Sequence, residues 1–253
     1  MLGPGEPSPV RRLNPNGTSD FLLTADHAGR RIPRTLGNLG LAPRELRRHI
    51  AWDIGIAGVT RGLARRLDAA SVMQRYSRLV IDCNRRPDVP SAIPEISETT
   101  AVPGNAGLPD EEKDRRRRAI FSPYHAAIAA MIAERRAAGR RTVYVAMHSF
   151  TPVFKGVARG MHCAVLYNRN PRLAGALASL LRAKGDLMVG DNEPYRVSDE
   201  TDYGVPVHAE RGGLDYVEIE IRQDLIAAAR GQTAWAERLA RLLPLALRDL
   251  GED

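Results

Sequence analysis

The sequence predicts a single α/β domain in which helices cover both faces of a mixed, mostly parallel sheet. Short apolar runs alternate along the chain with segments of helical periodicity, and this alternation is typical of three-layer α/β/α folds. No internal repeat and no change in composition marks a second domain. Residues 1–18 carry four prolines and no apolar period. We therefore expect a flexible N-terminal arm over 1–18 and one α/β domain over 19–253.

The first half of the chain contains strand-like runs, a long loop and two helical segments. Apolar residues recur at spacings of three to five in the first helical segment, and an acidic first turn begins the second, where Pro123 should introduce a kink. The intervening loop holds five prolines and no periodicity, so we expect it to form a wall or lid of the functional site. The predicted elements are strand 20–26, helix 43–67, strands 71–76 and 79–82, loop 84–109 and helix 110–138.

The second half continues the alternation of strands and helices. Glycines mark the ends of several of its elements, and one strand alternates clearly between apolar and acidic residues. The predicted elements are strand 142–147, loop 151–161, strand 162–167, helix 171–184, strand 186–190, loop 191–214, strand 215–221 and helices 222–229 and 233–249.

Composition excludes several classes of protein. The chain has a formal net charge of +7 but only 5% aromatic residues, so it offers little stacking surface for bases, and we expect no nucleic-acid partner. No apolar stretch approaches the roughly 20 residues of a membrane span. Two cysteines and no readable secretory signal favour a reducing cytoplasm. A basic surface suits a small anionic substrate, and oligomeric state stays open.

Two histidines end separate strand-like runs and predict a metal site. The carboxyl ends of parallel strands meet at one edge of a sheet, so His27 and His148 should lie close together. Catalytic zinc takes three protein ligands and leaves a position for water. Asp53 is the preferred third ligand, although it could instead cap the helix expected to start at Ile54. We expect zinc or another divalent metal ion here.

The remaining candidate residues are carboxylates and cations near the same edge. Glu218 and Glu220 lie two apart on strand 215–221 and share a face, and Glu220, nearer the strand end, is the preferred general base. Arg85 presents a planar fork that matches a carboxylate or stabilises an oxyanion. The other residues expected to contact substrate are Asn84, Arg78, Arg75 and Ser149.

Six short segments, in this order, resemble the N-formylglutamate amidohydrolase family. The resemblance runs from about residue 20 to about residue 225 and departs from the expected pattern at Asp26-His27-Ala28-Gly29. The segments are His27-Ala28-Gly29 with Pro33, Trp52-Asp53-Ile54-Gly55, Arg78-Leu79-Val80-Ile81-Asp82-Cys83-Asn84-Arg85, Pro123-Tyr124-His125, Ala146-Met147-His148-Ser149-Phe150 and Val217-Glu218-Ile219-Glu220-Ile221-Arg222.

This resemblance implies a fold related to zinc carboxypeptidases and a metal site that hydrolyses N-formyl-L-glutamate to formate and L-glutamate. The Asn84-Arg85 pair is similar to the carboxypeptidase pair that binds a substrate carboxylate and polarises a carbonyl. We expect zinc to activate water and Glu220 to pass the water's proton to the departing amine. Two alternatives stay open: a divergent zinc amidase or carboxypeptidase-like hydrolase with another acyl-amino acid or peptide substrate, and a non-catalytic binding protein on the same scaffold.

Overall fold

A seven-stranded sheet forms the centre of the molecule. The computed structural model describes residues 1–251, and the strands are arranged in the order β1-β3-β2-β6-β11-β9-β10. These strands are β1 (Val10–Leu13), β2 (Phe21–Ala25), β3 (Ala70–Gln74), β6 (Val143–Phe150), β9 (Cys163–Leu166), β10 (Val189–Asp191) and β11 (Asp215–Arg222). Two small hairpins complete the strands, β4 (Ile96–Ser97) with β5 (Thr100–Ala101) and β7 (Val153–Phe154) with β8 (Val157–Ala158).

The four central strands run in the same direction. β3, β2, β6 and β11 are parallel neighbours, whereas β1 is antiparallel to β3 and β9 is antiparallel to β11. β10 then runs parallel to β9. The carboxyl ends of four parallel strands consequently meet at one edge of the sheet.

Helices cover both faces of this sheet. One core contains buried side chains from α1 (Ile56–Leu67), α4 (Arg172–Arg182) and α5 (Ala229–Asp249). The other contains side chains from α3 (Ser122–Ala137), which follows α2 (Asp110–Arg116). The prediction of a three-layer α/β/α fold with a mixed, mostly parallel sheet is confirmed. None of the helices in residues 1–251 is both long and apolar enough to cross a membrane.

Several predicted boundaries are wrong in informative ways. The expected flexible arm contributes an edge strand, because Val10–Leu13 pairs with β3. Residues 79–82 form a turn rather than a strand, although Leu79, Val80 and Ile81 are buried. These residues are apolar because they pack in the core, and a run of four residues does not by itself distinguish a strand from a buried turn. The α-helix predicted over 43–67 begins only at Ile56, after a 3-10 turn at Glu45–Arg47.

The other differences concern the helices. The segment 110–138 is helical as predicted, but a π-helical turn at Arg117–Phe121 separates α2 from α3 just before Pro123. The second long loop contains a further π-helical turn, Val205–Glu210. Where two C-terminal helices were expected, a 3-10 turn at Gln223–Leu225 precedes the single helix α5.

Candidate functional site

A cavity of about 610 Å³ opens at the carboxyl end of the parallel strands. His27 follows β2, and His148 and Glu220 lie near the ends of β6 and β11. Alternate residues of β6 and β11 pack into the core under α1, α4 and α5, for example Val145 and Val217. The residues between them, including His148, Glu218 and Glu220, therefore face the opposite side, where the long loops form the cavity.

Three side chains predicted as metal ligands lie together in this cavity. Ligand atoms of His27, Asp53 and His148 all lie within 4.8 Å of one another, and the three residues are buried. The imidazole centroids of the two histidines are 5.1 Å apart. Asp53 Oδ2 lies 3.6 Å from His27 Nδ1 and 3.1 Å from His148 Nδ1. This cluster could bind one metal ion.

A further carboxylate orients His27, and another lies near His148. His27 Nε2 lies 2.7 Å from Asp82 Oδ1, so this ring donates its Nε2 proton to Asp82 and keeps a lone pair on Nδ1. On the other ring, His148 Nε2 lies 3.6 Å from Asp26 Oδ2. The Asp82 carboxylate fixes the tautomer of His27 and raises its basicity, as is usual around protein-bound metals, whereas His148 Nε2 has no hydrogen-bond partner within residues 1–251.

The alternative role of Asp53, as a helix cap, does not occur. The residue that caps α1 is Gly55, which has a φ of 85° and makes no side-chain cap bond. Asp53 Oδ2 instead accepts a hydrogen bond of 3.1 Å from the backbone N–H of Ser149. Burial opposes the charge of Asp53, but His27 and His148 outweigh it and lower the pKa of Asp53 below its usual value.

Glu218 and Glu220 both line the cavity, as their shared face predicts. Glu220 lies opposite His148 in the β11–β6 register, and Glu218 lies opposite Ala146. Burial raises the pKa of each glutamate to about 8. The Oε2 atom of each is buried and has no hydrogen-bond partner within residues 1–251. These oxygens are available to a proton, a cation or a water molecule.

The predicted arginines have different environments. Arg78 lines the cavity but donates from both Nε, at 3.0 Å, and Nη2, at 2.6 Å, to the same oxygen, Asp82 Oδ2. Its Nη1 lies 3.7 Å from Asp53 Oδ1. Arg78 therefore balances the charge of the two carboxylates, which leaves it less free to bind a substrate carboxylate than the sequence suggested.

Asn84 and Arg85 lie in a turn rather than at a strand tip, and both contact the second long loop. Asn84 Nδ2 donates to Asp202 Oδ1 at 3.1 Å, and Asn84 Oδ1 accepts from the backbone N–H of Tyr203 and of Gly204. Arg85 Nη1 donates to the carbonyl oxygens of Asn84 and Thr201. The Arg85 Nη1 group also lies 3.4 Å from Asp202 Oδ1, whereas its Nε and Nη2 groups make no hydrogen bond within residues 1–251 and remain available to a ligand.

The last two residues predicted to contact substrate, Ser149 and Arg75, lie in different cavities. Ser149 lines the cavity, donating from its backbone to Asp53 and from Oγ to the carbonyl oxygen of Ile54. Arg75 lies elsewhere, because it lines a separate cavity near Trp52. The prediction that Arg75 joins Arg85 in one substrate site is therefore corrected. Arg75 follows β3 at Gln74, and its side chain leaves the sheet on the α1 side.

Sequence reasoning missed several residues of the site. Asp82 was placed in a strand, and Asp202 lies in a long loop without periodicity. Tyr195 and Arg196 also line the cavity, and Arg159 donates to Tyr195 Oη at 2.6 Å while its guanidinium lies over the Phe154 ring. These residues come from loops, where no spacing rule relates sequence to position.

Comparison with known proteins agrees with this geometry. A family model described as N-formylglutamate amidohydrolase matches residues 19–227. The chain belongs to this family. Membership in the N-formylglutamate amidohydrolase family supports a hydrolase that acts on an amide bond. A search of curated proteins found no significant match.

Two solved structures are similar over almost the whole chain. A gene product of Agrobacterium tumefaciens is 41% identical, with a TM-score of 0.95 and coverage of 99% of both chains. An N-formylglutamate amidohydrolase from Ralstonia eutropha JMP134 is 20% identical, with a TM-score of 0.68, and the match covers 95% of this chain and 98% of that one. The second match, at that identity, shows a shared fold.

Proposed function

We propose that this protein is a metal-dependent amidohydrolase that cleaves the amide of an N-acyl amino acid, with N-formyl-L-glutamate as its substrate. The observation that carries the proposal is the buried His27–Asp53–His148 cluster in the same cavity as Glu220, in a member of this family. The net charge of +7 and the free guanidinium edge of Arg85 support an anionic substrate.

The donor set fits a divalent ion such as zinc. Two imidazoles and one carboxylate are a usual ligand set for catalytic zinc. The buried Nδ1 of His27 has no hydrogen-bond partner within residues 1–251, and an unsatisfied buried nitrogen is costly unless a ligand uses it. A divalent ion held there supplies Lewis acidity, which polarises the amide carbonyl and makes water more acidic.

Glu220 performs the proton transfers in this proposal. Its carboxylate accepts a proton from the attacking water, whose oxygen forms a bond to the formyl carbon. The same proton then passes to the nitrogen as the C–N bond breaks, so that formate and the amino group of glutamate are released. Asp82 holds the His27 imidazole in position throughout.

Recognition of the substrate's carboxylates is assigned to cations at the cavity. Arg85 offers Nε and Nη2 as a two-pronged donor, a geometry that matches a carboxylate. Arg196 is exposed, lines the same cavity and makes no ion pair within residues 1–251. Two such groups match the two carboxylates of N-formylglutamate.

The first test separates the base from its neighbour. Glu220→Gln keeps the shape of the side chain but removes the proton acceptor, so we expect activity to fall by about 10²- to 10⁴-fold with metal content unchanged. Glu218→Gln is the matched control, because Glu218 is equally buried but lies further from the strand end. It should lose far less activity. Normal turnover by Glu220→Gln would remove Glu220 from the mechanism.

The second test concerns the substrate. Purified protein is assayed for amine release from N-formylglutamate, N-formylaspartate, N-formylglutamine, N-formylleucine and N-acetylglutamate, with zinc, manganese or cobalt. The acidic N-formyl substrates should be cleaved at least tenfold faster than the neutral ones, because a neutral side chain leaves a guanidinium unpaired. Arg85→Gln should reduce the ratio of the rates on acidic and neutral substrates. Arg86→Gln, which removes an exposed ion pair with Asp88, should leave that ratio unchanged.

The outcomes also separate the alternatives. Equal rates on acidic and neutral side chains would contradict recognition by arginine. Stoichiometric metal without amine release from any of these compounds would favour a divergent amidase or carboxypeptidase-like hydrolase. Protein that holds no metal and binds DNA in a salt-sensitive manner would favour a non-catalytic binding protein.

A further inference from the structure

A second cavity, of about 640 Å³, lies beside the candidate active site and is strongly basic. It is bounded by the edge strand β1 and its neighbour β3, by the segment 28–31 and by the start of α1. The two cavities share no lining residue. Five of the residues that line the second cavity are arginines, and none is acidic: Arg11, Arg30, Arg31, Arg61 and Arg75.

The side chains of these five arginines have no hydrogen-bonding or carboxylate partner in the described part of the protein. Within residues 1–251, none of the five side chains donates a hydrogen bond to a protein acceptor, and none lies within 4.0 Å of a carboxylate oxygen. By contrast, exposed arginines such as Arg86 and Arg169 are paired with aspartates. Other arginines without a side-chain partner, such as Arg12, Arg47 and Arg230, are exposed and lie apart from this cavity, whereas five unpaired arginines lie around it.

Two of the five guanidinium groups are partly buried and should destabilise the folded protein when no ligand is bound. Arg61 and Arg75 are half-buried, and Arg75 Nε is fully buried with no hydrogen-bond partner. Burial and the neighbouring charges of Arg11 and Arg65 lower the pKa of Arg61. A buried donor without an acceptor destabilises the folded protein, as does repulsion between like charges. A bound anion would remove both penalties.

The wall of the cavity is held by close backbone packing. A Cβ atom added to Gly29 would lie 2.1 Å from the carbonyl carbon and oxygen of Arg75, so only glycine permits this approach. The Arg30 guanidinium lies over the Trp52 ring, 5.2 Å from its centroid. That arrangement occupies the one aromatic face at the cavity and leaves no platform on which a nucleic-acid base could stack.

We propose that this cavity binds a small molecule that carries several oxyanion groups, either phosphates or carboxylates. Guanidinium groups bind both kinds of oxyanion through paired N–H donors. The volume is within the range of small-molecule sites, and the uncompensated charge favours a ligand with three or more negative charges. The proposal does not depend on the reaction at the other cavity. The segment that joins them is short, because Gly29 lies two residues after His27.

Binding is measured by isothermal titration calorimetry on the metal-loaded protein with pyrophosphate, citrate and acetate at constant ionic strength. We expect one equivalent of pyrophosphate or of citrate to bind, and acetate to bind at least tenfold more weakly. Tighter binding of pyrophosphate would indicate a phosphate ligand, and tighter binding of citrate would indicate a polycarboxylate. Metal content measured after each titration excludes chelation from the active site.

The variants decide whether the basic cavity is responsible. Arg61→Gln/Arg75→Gln should weaken binding at least tenfold, and its unliganded Tm should be equal to or higher than that of the wild type, because like-charge repulsion is relieved. Arg11→Gln should weaken binding at least threefold even if the double variant does not fold. Arg12→Gln is the matched control, since Arg12 is the adjacent exposed arginine on β1 and does not line the cavity. It should stay within twofold of the wild type.

Three results would overturn the proposal. The first is unchanged affinity in the cavity variants, and the second is acetate binding as tightly as pyrophosphate. The third is duplex DNA that binds more tightly than either polyanion and displaces it, which would identify a nucleic-acid surface instead. A double variant that folds with a lower Tm and unchanged affinity would show a structural role for these arginines.

Discussion

A buried pair of histidines should make the protein markedly less stable in mild acid. His125 on α3 and His208 in the second long loop lie with Nδ1 and Nε2 2.9 Å apart, and His125 Nε2 donates to the carbonyl oxygen of Cys83 at 2.8 Å. His125 Nδ1 therefore accepts a proton from His208 Nε2. This chain of donors requires a neutral His125, because a second proton on His125 would place two donors face to face, while burial opposes a charge on His208.

The magnitude follows from the pKa values. Burial lowers the pKa of His208 to about 4, and burial together with the neighbouring ring of His208 lowers that of His125 to about 3. In the unfolded chain each histidine titrates near 6.5. Well above pH 6.5 neither state is protonated, and the full stability is present. As pH falls below 6.5 the unfolded state binds protons that the folded state does not bind, so the free energy of unfolding falls.

Between pH 7 and pH 5 each histidine should cost about 2 kcal/mol, and the pair about 4 kcal/mol. That is a large fraction of the 5–15 kcal/mol that typically stabilises a folded domain. Urea unfolding at pH 7, 6 and 5 measures the free energy of unfolding in the wild type and in His208→Gln. Glutamine can still donate to His125 but does not titrate, so we expect the acid-induced loss to fall by about 2 kcal/mol.

Comparing the pH dependence of unfolding in the wild type and in His208→Gln isolates the contribution of the histidine pair. Release of a metal ion in acid would affect the wild type and His208→Gln alike, so it cancels in the difference between their pH profiles. Parallel profiles for the two proteins would refute the reasoning. The free energy of unfolding of the double variant His125→Gln/His208→Gln should change even less with pH over this range.

Two further predictions concern residues around the sites. Asp82→Asn removes the carboxylate that orients His27, so metal affinity measured by chelator competition should fall about 10- to 100-fold. Asp88→Asn, which removes a carboxylate from an exposed ion pair, should leave metal affinity unchanged. Equal affinity in the two variants would contradict that role. Gly29→Ala forces a Cβ against the Arg75 backbone and should lower the free energy of unfolding by about 3 kcal/mol or more. Gly175→Ala meets nothing within 4 Å on its helix and should raise it by up to about 1 kcal/mol, so a loss in both would show that backbone crowding is not the cause.

Local pattern determined the fold class and the centre of the site. The alternation of elements predicted a three-layer fold, and the position of His27 and His148 after strand-like runs predicted their convergence. Parallel strands end at a common edge, so a residue at each strand end has a predictable location. The side-chain period of two likewise placed Glu218 and Glu220 together on the cavity face.

Other features needed the tertiary structure. Whether Asp53 would cap a helix or face the histidines depended on where α1 begins, which Gly55 decides through its positive φ. Arg75 and Arg85 look equivalent in sequence, yet they line different cavities because β3 directs one of them toward α1. The short apolar run at 79–81 is buried in a turn that brings Asp82 to His27.

The sequence by itself determined which residues sit at strand ends and which face of a strand they share, because these are properties of a few consecutive residues. Only the tertiary structure decided which loop residues meet, such as Asn84 with Asp202 and His125 with His208. Their separations of more than 80 residues are closed by packing of the whole chain. No local period carries that information, since the path of a loop depends on the surfaces that it covers.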